Sequence, residues 1–381
     1  MKTTLVVDLN IALNGHKMGF MKELFRYIVS HPPKEKFCFL SNIPLGLPDT
    51  EDAINLIFDT PKDQKGTLAK YQEQFDLMVK IAKEQGAGRV ILMELDLYQW
   101  ALAKTNNTDL VIEGIWFRPF HRQKCVSNSL IDQFKFEINQ LKKKFLIRNA
   151  LRNKQLQGVY ILNDQSGVQW YNQNHRKVFK YLPDPVFESH QKEDIDIKSY
   201  YKIPENKHIY LIFGWIDDRK NVTNILKAFA LLPEGVQTQS AVLIVGKVAD
   251  FYVEEVHKAM EESPAGLQVI LRDEFVSDEH LETLFAQSQL VFRMNVNYFA
   301  SSGVIGIAAK YNVPSLVSNY GLVEELTLEY ELGKSVDPMN VDAIAAAIRD
   351  FDQNPDGWRI NGQRYFESHN TQAFAKTLLG I

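Results

Sequence analysis

Short runs of β-branched and aromatic residues alternate with apolar residues at helical spacing along nearly the whole chain, and they do so in two blocks. In the first block the strand candidates are Thr4 to Leu9, Phe37 to Leu40, Ile54 to Phe58, Arg89 to Met93, Leu110 to Glu113, Val159 to Leu162 and Val178 to Leu182. Between them Phe20, Met21, Leu24, Phe25 and Ile28 make one helix face, and Leu68, Tyr71, Phe75, Met78 and Ala82 another. Polar sequence from Asp184 to Lys207, carrying Pro185 and Pro204, then breaks the pattern. It restarts with strands Ile209 to Phe213, Ala241 to Val245, Gln268 to Leu271, Leu290 to Arg293 and Ser315 to Val317, with helices between them. Parallel strands need a crossover, usually helical, so this alternation demands parallel sheets covered by helices on both faces. The expected fold class is α/β: a Rossmann-like domain over 1–183, a linker over 184–207 and a second such domain over 208–355. Helices near Ala343 to Phe351 and Trp358 to Ser368 close the chain, and the segment 356–381 is expected to pack back on the first domain.

At 381 residues the chain exceeds what one hydrophobic core usually serves, which agrees with two domains. A net charge of -4 gives no global attraction to nucleic acid, and no basic surface interleaved with aromatics points to that partner. The first apolar run is short and interrupted by Asp8, unlike a signal peptide, and no stretch offers the ~20 apolar residues of a membrane span. Cys38 and Cys125 are the only cysteines and lack a paired spacing. A cytoplasmic location is expected, without a disulfide framework, zinc finger or other metal site.

Parallel sheets take ligands at the C-terminal ends of their strands, and the motifs fall there. Gly214-Trp215-Ile216-Asp217-Asp218-Arg219-Lys220-Asn221-Val222 follows an apolar strand and opens an amphipathic helix. Adjacent cations and unpaired backbone N–H groups make it either a phosphate cradle or a solvated connecting loop. Asn297 to Gly306 joins another strand to a helix, with Ser301, Ser302 and Gly303 at the helix start. Hydroxyls and a glycine suit an anion at the positive end of the helix dipole, although serine caps without ligands are common. With Arg219 and Lys220 the pair reads as a diphosphate clamp.

Gly15 and Gly19 have the wrong spacing for the dinucleotide fingerprint G-x-G-x-x-G, which disfavours a hydride-transferring dehydrogenase. His121, just past a strand, is placed either to bond a sugar hydroxyl or to serve the structure. Asp194-Ile195-Asp196 mimics a metal-binding D-x-D but falls in the polar linker. The run Leu141 to Arg152 mixes cations with apolar residues at helical spacing. It is either a solvated helix face or a contact with anionic membrane through 141–154.

Taken together, the motifs resemble those of the family 4 (group 1) glycosyltransferases. Gly214 to Val222 is similar to that family's G-x-x-x-x-R-K-N turn, and Phe275-Val276-Ser277-Asp278-Glu279-His280-Leu281 to its F-V-S-D-E-x-L segment. Tyr320 to Glu325 and Gly333 to Pro338 resemble its G-G-x-x-E and G-x-x-V-x-P elements, in order. The resemblance runs from about residue 209 to 352. It implies the GT-B fold and transfer of a sugar, with retention and without metal, from a nucleoside diphosphate sugar to a carbohydrate or lipid-linked acceptor. Polysaccharide or glycoconjugate synthesis at the inner face of the membrane is the matching role, and no cofactor beyond the donor is called for.

In that scheme Arg219, Lys220, Ser301, Ser302 and Gly303 hold the diphosphate beside Gly214. The base rests against Gly246, Lys247, Glu274 and Phe275, and Glu324 touches sugar or ribose. The acceptor side is Asn14, Gly15 and His121. The family commonly carries two glutamates eight positions apart, where this chain has Tyr298 and Gly306. That departure keeps open an inert module that binds a nucleotide or a partner without catalysis.

Overall fold

The computed structural model describes residues 3–11, 16–58, 67–105, 109–125, 129–187 and 195–381. The chain forms two compact units, residues 1–187 with 371–381, and residues 188–370.

The first unit is built on a parallel sheet of strands β1 (Thr3–Asp8), β2 (Lys36–Ser41), β3 (Ala53–Ile57), β4 (Ala87–Leu92), β5 (Val111–Ile115), β6 (Leu156–Leu162) and β7 (Phe179–Leu182). Their order across the sheet is β3-β2-β1-β4-β5-β6-β7. Alternate side chains enter opposite layers. Leu5 and Val7 join Phe75 and Met78 of the helix Thr67–Glu84, while Val6 joins Met21 and Leu24 of the helix His16–Ser30.

The second unit repeats the plan with β8 (His208–Phe213), β9 (Ser240–Val245), β10 (Gln268–Arg272), β11 (Leu290–Arg293), β12 (Ser315–Ser318) and β13 (Gly333–Val336). The order is β10-β9-β8-β11-β12-β13, parallel throughout. Chain order therefore reverses direction between β8 and β11. Open α/β sheets bind ligands at such a switch point, where the connections on either side leave toward opposite faces. Tyr210 and Ile212 face one core with the helix Val222–Ala230, and Ile209 and Leu211 the other with the helix Gly303–Lys310.

The strands expected from the sequence are present within a few residues of their expected ends; β13 and the helices Gln99–Lys104, Gln165–Asn174, Glu234–Thr238 and Gly321–Glu329 were not expected as elements. Two boundaries differ from expectation. The segment expected as a linker carries a helix, Ile197–Tyr201, N-capped by Asp196, which accepts from the backbone of Lys198 and Ser199 at 3.2 and 3.1 Å. Ile197 and Tyr201 are buried in the second unit, and the Tyr201 hydroxyl meets Nε2 of His280 at 2.8 Å. Burial of two large apolar groups makes this stretch part of a core instead of a tether.

At the other end, Pro355–Trp358 and the helix Gln363–Ser368 belong to the second unit, and only residues 371–381 join the first. Their helix, Thr371–Leu379, buries Phe374, Ala375, Leu378 and Leu379. Arg89 fixes its end, donating to the carbonyls of Leu378 at 2.9 Å and Leu379 at 2.5 Å while paired with Glu113. Burial pushes the Glu113 carboxyl up, but Lys180 and Arg89 together hold it below the usual range. Phe374 is fully enclosed, so Phe374→Ala should cost roughly 3–5 kcal/mol. Chemical denaturation should register the loss; an unchanged midpoint would show that the last helix contributes nothing to the first unit.

Candidate functional site

The switch point of the second unit is assembled by two strand ends that abut. Gly214 and Gly246 follow β8 and β9 with φ of 109° and 141°, and a Cβ on Gly246 would stand 1.8 Å from the Gly214 carbonyl oxygen. No other residue fits there. Beyond the glycines, Ile216 donates its N–H to Lys247 at 2.9 Å and accepts from Ala249 at 2.8 Å, which staples the two turns together.

The turn after β8 is a single 3-10 turn, Asp218–Lys220, N-capped by the buried Asp217. Asp217 also takes the Arg219 guanidinium, at 2.9 Å from Nε and 2.5 Å from Nη2. Arg219 is thus half exposed and folded back on its own turn. Lys220 goes the other way. Its side chain runs under Gly214, and Nζ donates to the Phe213 carbonyl at the end of β8. Burial, with the neighbouring charges of Arg293 and Arg219, holds its ammonium well below the usual lysine range, and Asp217 offsets this only in part.

Arg293 ends β11, the neighbour of β8, and is itself buried. Its Nε donates to the Ser302 hydroxyl at 2.5 Å, and its guanidinium carbon lies 4.5 Å from the centroid of the Tyr298 ring. Nη1 is buried and has no hydrogen-bond partner among the described residues. Burial pushes this guanidinium down, Tyr298 opposes the shift and Arg219 adds to it. The Tyr298 hydroxyl donates to the Ser301 carbonyl at 2.6 Å, and Val296 donates its N–H to the Arg219 carbonyl at 2.8 Å. The loops after β8 and β11 are therefore bonded directly.

Ser302 occupies the N-cap position of the helix Gly303–Lys310, yet its side chain does not cap it, because the hydroxyl is spent on Arg293. This corrects the expectation of two capping hydroxyls. Nor is Gly303 needed for a close approach within the protein, since a Cβ there would meet nothing within 4 Å. The helix start is open, with first-turn N–H groups that lack a side-chain cap.

Gly214, Arg219, Lys220, Ser301, Ser302 and Gly303 thus gather around Arg293. That residue was not singled out from the sequence, although a cation closing the apolar run Leu290–Phe292 was the available signal. Glu324 is one strand further on, in the helix after β12, where it accepts from the Ser335 hydroxyl at 3.1 Å. Lys247, Glu274 and Phe275 follow β9 and β10, on the opposite side of β8 from β11. Lys247 pairs with Asp273 at 3.1 Å, Arg272 with Glu274 at 2.5 Å, and Phe275 is exposed.

His121 belongs to the first unit, after β5. Its Nε2 lies 3.3 Å from Oδ2 of Asp164, and its ring stacks on Trp170 at 5.8 Å. Arg122 grips the same carboxylate at 2.9 and 2.8 Å, and Asp164 caps the helix Gln165–Asn174 through the Gly167 N–H. Burial pushes Asp164 up, but Arg122 and that N–H hold it below the usual carboxylate range. Asn14 and Gly15 lie outside the described residues.

Residues 193–364 match the family model described as glycosyl transferases group 1. No curated protein matches the sequence. Among solved structures the chain is similar to sucrose-phosphate synthase from Thermosynechococcus elongatus, at 15% identity over 100% of this chain and 98% of that one, with a TM-score of 0.72. It is also similar to Anabaena HepE in complex with UDP-glucose, at 14% identity over 100% and 99%, TM-score 0.68. WaaG, a glycosyltransferase involved in lipopolysaccharide biosynthesis, is 14% identical over 99% and 98%, TM-score 0.65. The fold is GT-B, and most of the second unit, residues 193–364, is similar to the group 1 glycosyltransferases.

Proposed function

We propose that the protein transfers a sugar from a nucleoside diphosphate sugar to an acceptor hydroxyl, with retention and without metal, in synthesis of a polysaccharide or glycoconjugate. The observation that carries this reading is a pair of buried cations, Lys220 and Arg293, beside an uncapped helix start at the switch point. Neither makes an ion pair with a carboxylate among the described residues, so their charge is available to an anion. HepE was solved with UDP-glucose, which supports a ligand of the same class here.

As the bond from the anomeric carbon to the phosphate oxygen breaks, negative charge grows on the departing diphosphate. Donors fixed in a dry site stabilise that charge without reorganising. Lys220, the free edge of Arg293 and the first-turn amides of Gly303–Lys310 take this role, and Arg219 joins by leaving Asp217. The acceptor oxygen attacks on the same face, and its proton passes to the departing phosphate oxygen. Glu324 is assigned to the sugar or ribose, the strand ends at Gly246, Lys247, Glu274 and Phe275 to the base, and His121 to the acceptor.

The second reading, a nucleotide-binding module without catalysis, draws on Tyr298, which covers Arg293 where the family commonly has a glutamate. Incubation with UDP- and GDP-sugars decides between them: release of nucleotide dependent on an acceptor sustains transfer, whereas binding with no release across a broad acceptor panel sustains the module. Lys220→Ala should lower turnover by about 10²–10³, or roughly 3–4 kcal/mol of barrier, if the amine acts like a lost oxyanion-hole donor. Unchanged turnover would remove it from the mechanism.

A second consequence concerns pH. Because the Lys220 pKa is depressed, raising the pH strips its charge before that of an ordinary lysine, and a bound diphosphate raises the pKa again. Nucleotide diphosphate binding should weaken on the alkaline side and take up protons there. Calorimetry in buffers of different ionisation enthalpy measures that uptake, and Lys220→Arg should abolish it; equal uptake in both proteins would clear Lys220 of the role.

A further inference from the structure

The helix Leu130–Ala150 of the first unit has two apolar faces, and only one is covered. Gln140, Ile147 and Ala150 are buried, and the helix packs on Gln99–Lys104. Away from that contact Leu130 is 81% exposed, Ile131 66%, Phe134 68%, Leu141 62% and Phe145 60%. At about 100° per residue these five fall within one arc of about 100°, on the side away from the buried positions. Exposed apolar residues scattered singly are ordinary; five large ones in one stripe along one helix are not.

The charges around the stripe say what covers it. By the same steps Lys135 and Lys142 border one side, Lys144 borders the other and Arg148 continues its line, all exposed. None of these four makes an ion pair among the described residues. Lys143 lies on the packed side and is held by Gln123 at 2.6 Å. Glu137 is the carboxylate near the stripe, and Asp132 falls on the far side. This local excess of cations sits in a chain whose net charge is -4. A second copy would bring like charges together, whereas an anionic lipid surface offers headgroups for the lysines and acyl chains for the phenylalanines. The stripe also begins eleven residues before the Leu141 start expected from the sequence, and Leu151 beyond the helix is buried.

We propose that this helix lies flat in the headgroup region of an anionic bilayer, with Leu130, Ile131, Phe134, Leu141 and Phe145 inserted and Lys135, Lys142, Lys144 and Arg148 on phosphates. No helix among the described residues is long and apolar enough to cross a membrane, so contact through this face is peripheral. The surface is independent of the sugar-transfer reading.

Co-sedimentation of the full chain with vesicles tests it, using phosphatidylcholine alone and phosphatidylcholine with about 30% phosphatidylglycerol. The wild type should pellet with the anionic vesicles and not with the neutral ones. Phe134→Glu with Phe145→Glu should lower binding roughly tenfold or more, and so should Lys142→Glu with Lys144→Glu and Arg148→Glu. All five positions are exposed, so thermal melts of the variants should match the wild type. Absence of binding to anionic vesicles, equal binding to neutral ones, or binding that survives the phenylalanine changes would each overturn the proposal. A lipid-free dimer in sedimentation velocity, dissolved by the same two changes, would reassign the stripe to a second copy of the chain.

Discussion

Two basic side chains held out of water without a carboxylate partner shape the second unit. Removing a charge from water costs several kcal/mol, and a main-chain carbonyl or a hydroxyl returns only part of that. Lys220 has the Phe213 carbonyl and Arg293 has Ser302 and the face of Tyr298. A single dianion placed between them would offset the cost for both, which is the physical basis of the proposed diphosphate site. Asp217 shows the contrast: it satisfies Arg219 and leaves that side chain the least strained of the three cations.

Backbone geometry fixes where those charges stand. The turn after β8 can pass beneath the turn after β9 only because Gly246 has no Cβ, Gly214 supplies the positive φ of 109° that the turn needs, and the staple at Ile216 joins the two turns. The bond from Val296 to the Arg219 carbonyl joins the loops on both sides of the sheet's reversal point. A rigid sheet thus carries the cations, and the loops contribute open amides at Gly303–Lys310. The first unit uses the same architecture differently, burying Asp164 under Arg122 and His121 so that one carboxylate orders a loop and a helix start.

Much of this could be read in the letters. Strands such as β8 and β9 are short apolar runs with turn residues behind them, a signal that survives without tertiary context. β13 gave no such signal, because Gly-Lys-Ser-Val has little alternation and is a strand only by pairing with β12. Arg219 and Lys220 stood out as neighbours in one turn. Their opposite destinations did not, since one residue step separates a side chain facing Asp217 from one passing under Gly214. Ser302 was legible as a cap, but Arg293, nine residues earlier, takes its hydroxyl once the chain folds back.

The sequence by itself determined the fold class, most of the strand order and the likeness of the second unit to the group 1 glycosyltransferases, because period and composition are local properties of the chain. Tertiary structure alone decided which cations lose their water, which hydroxyl is already engaged and which side of the helix Leu130–Ala150 is left bare. Burial is a relation between distant segments: Phe145 and Ile147 are equally apolar as letters, and only packing against Gln99–Lys104 puts one outside and the other in.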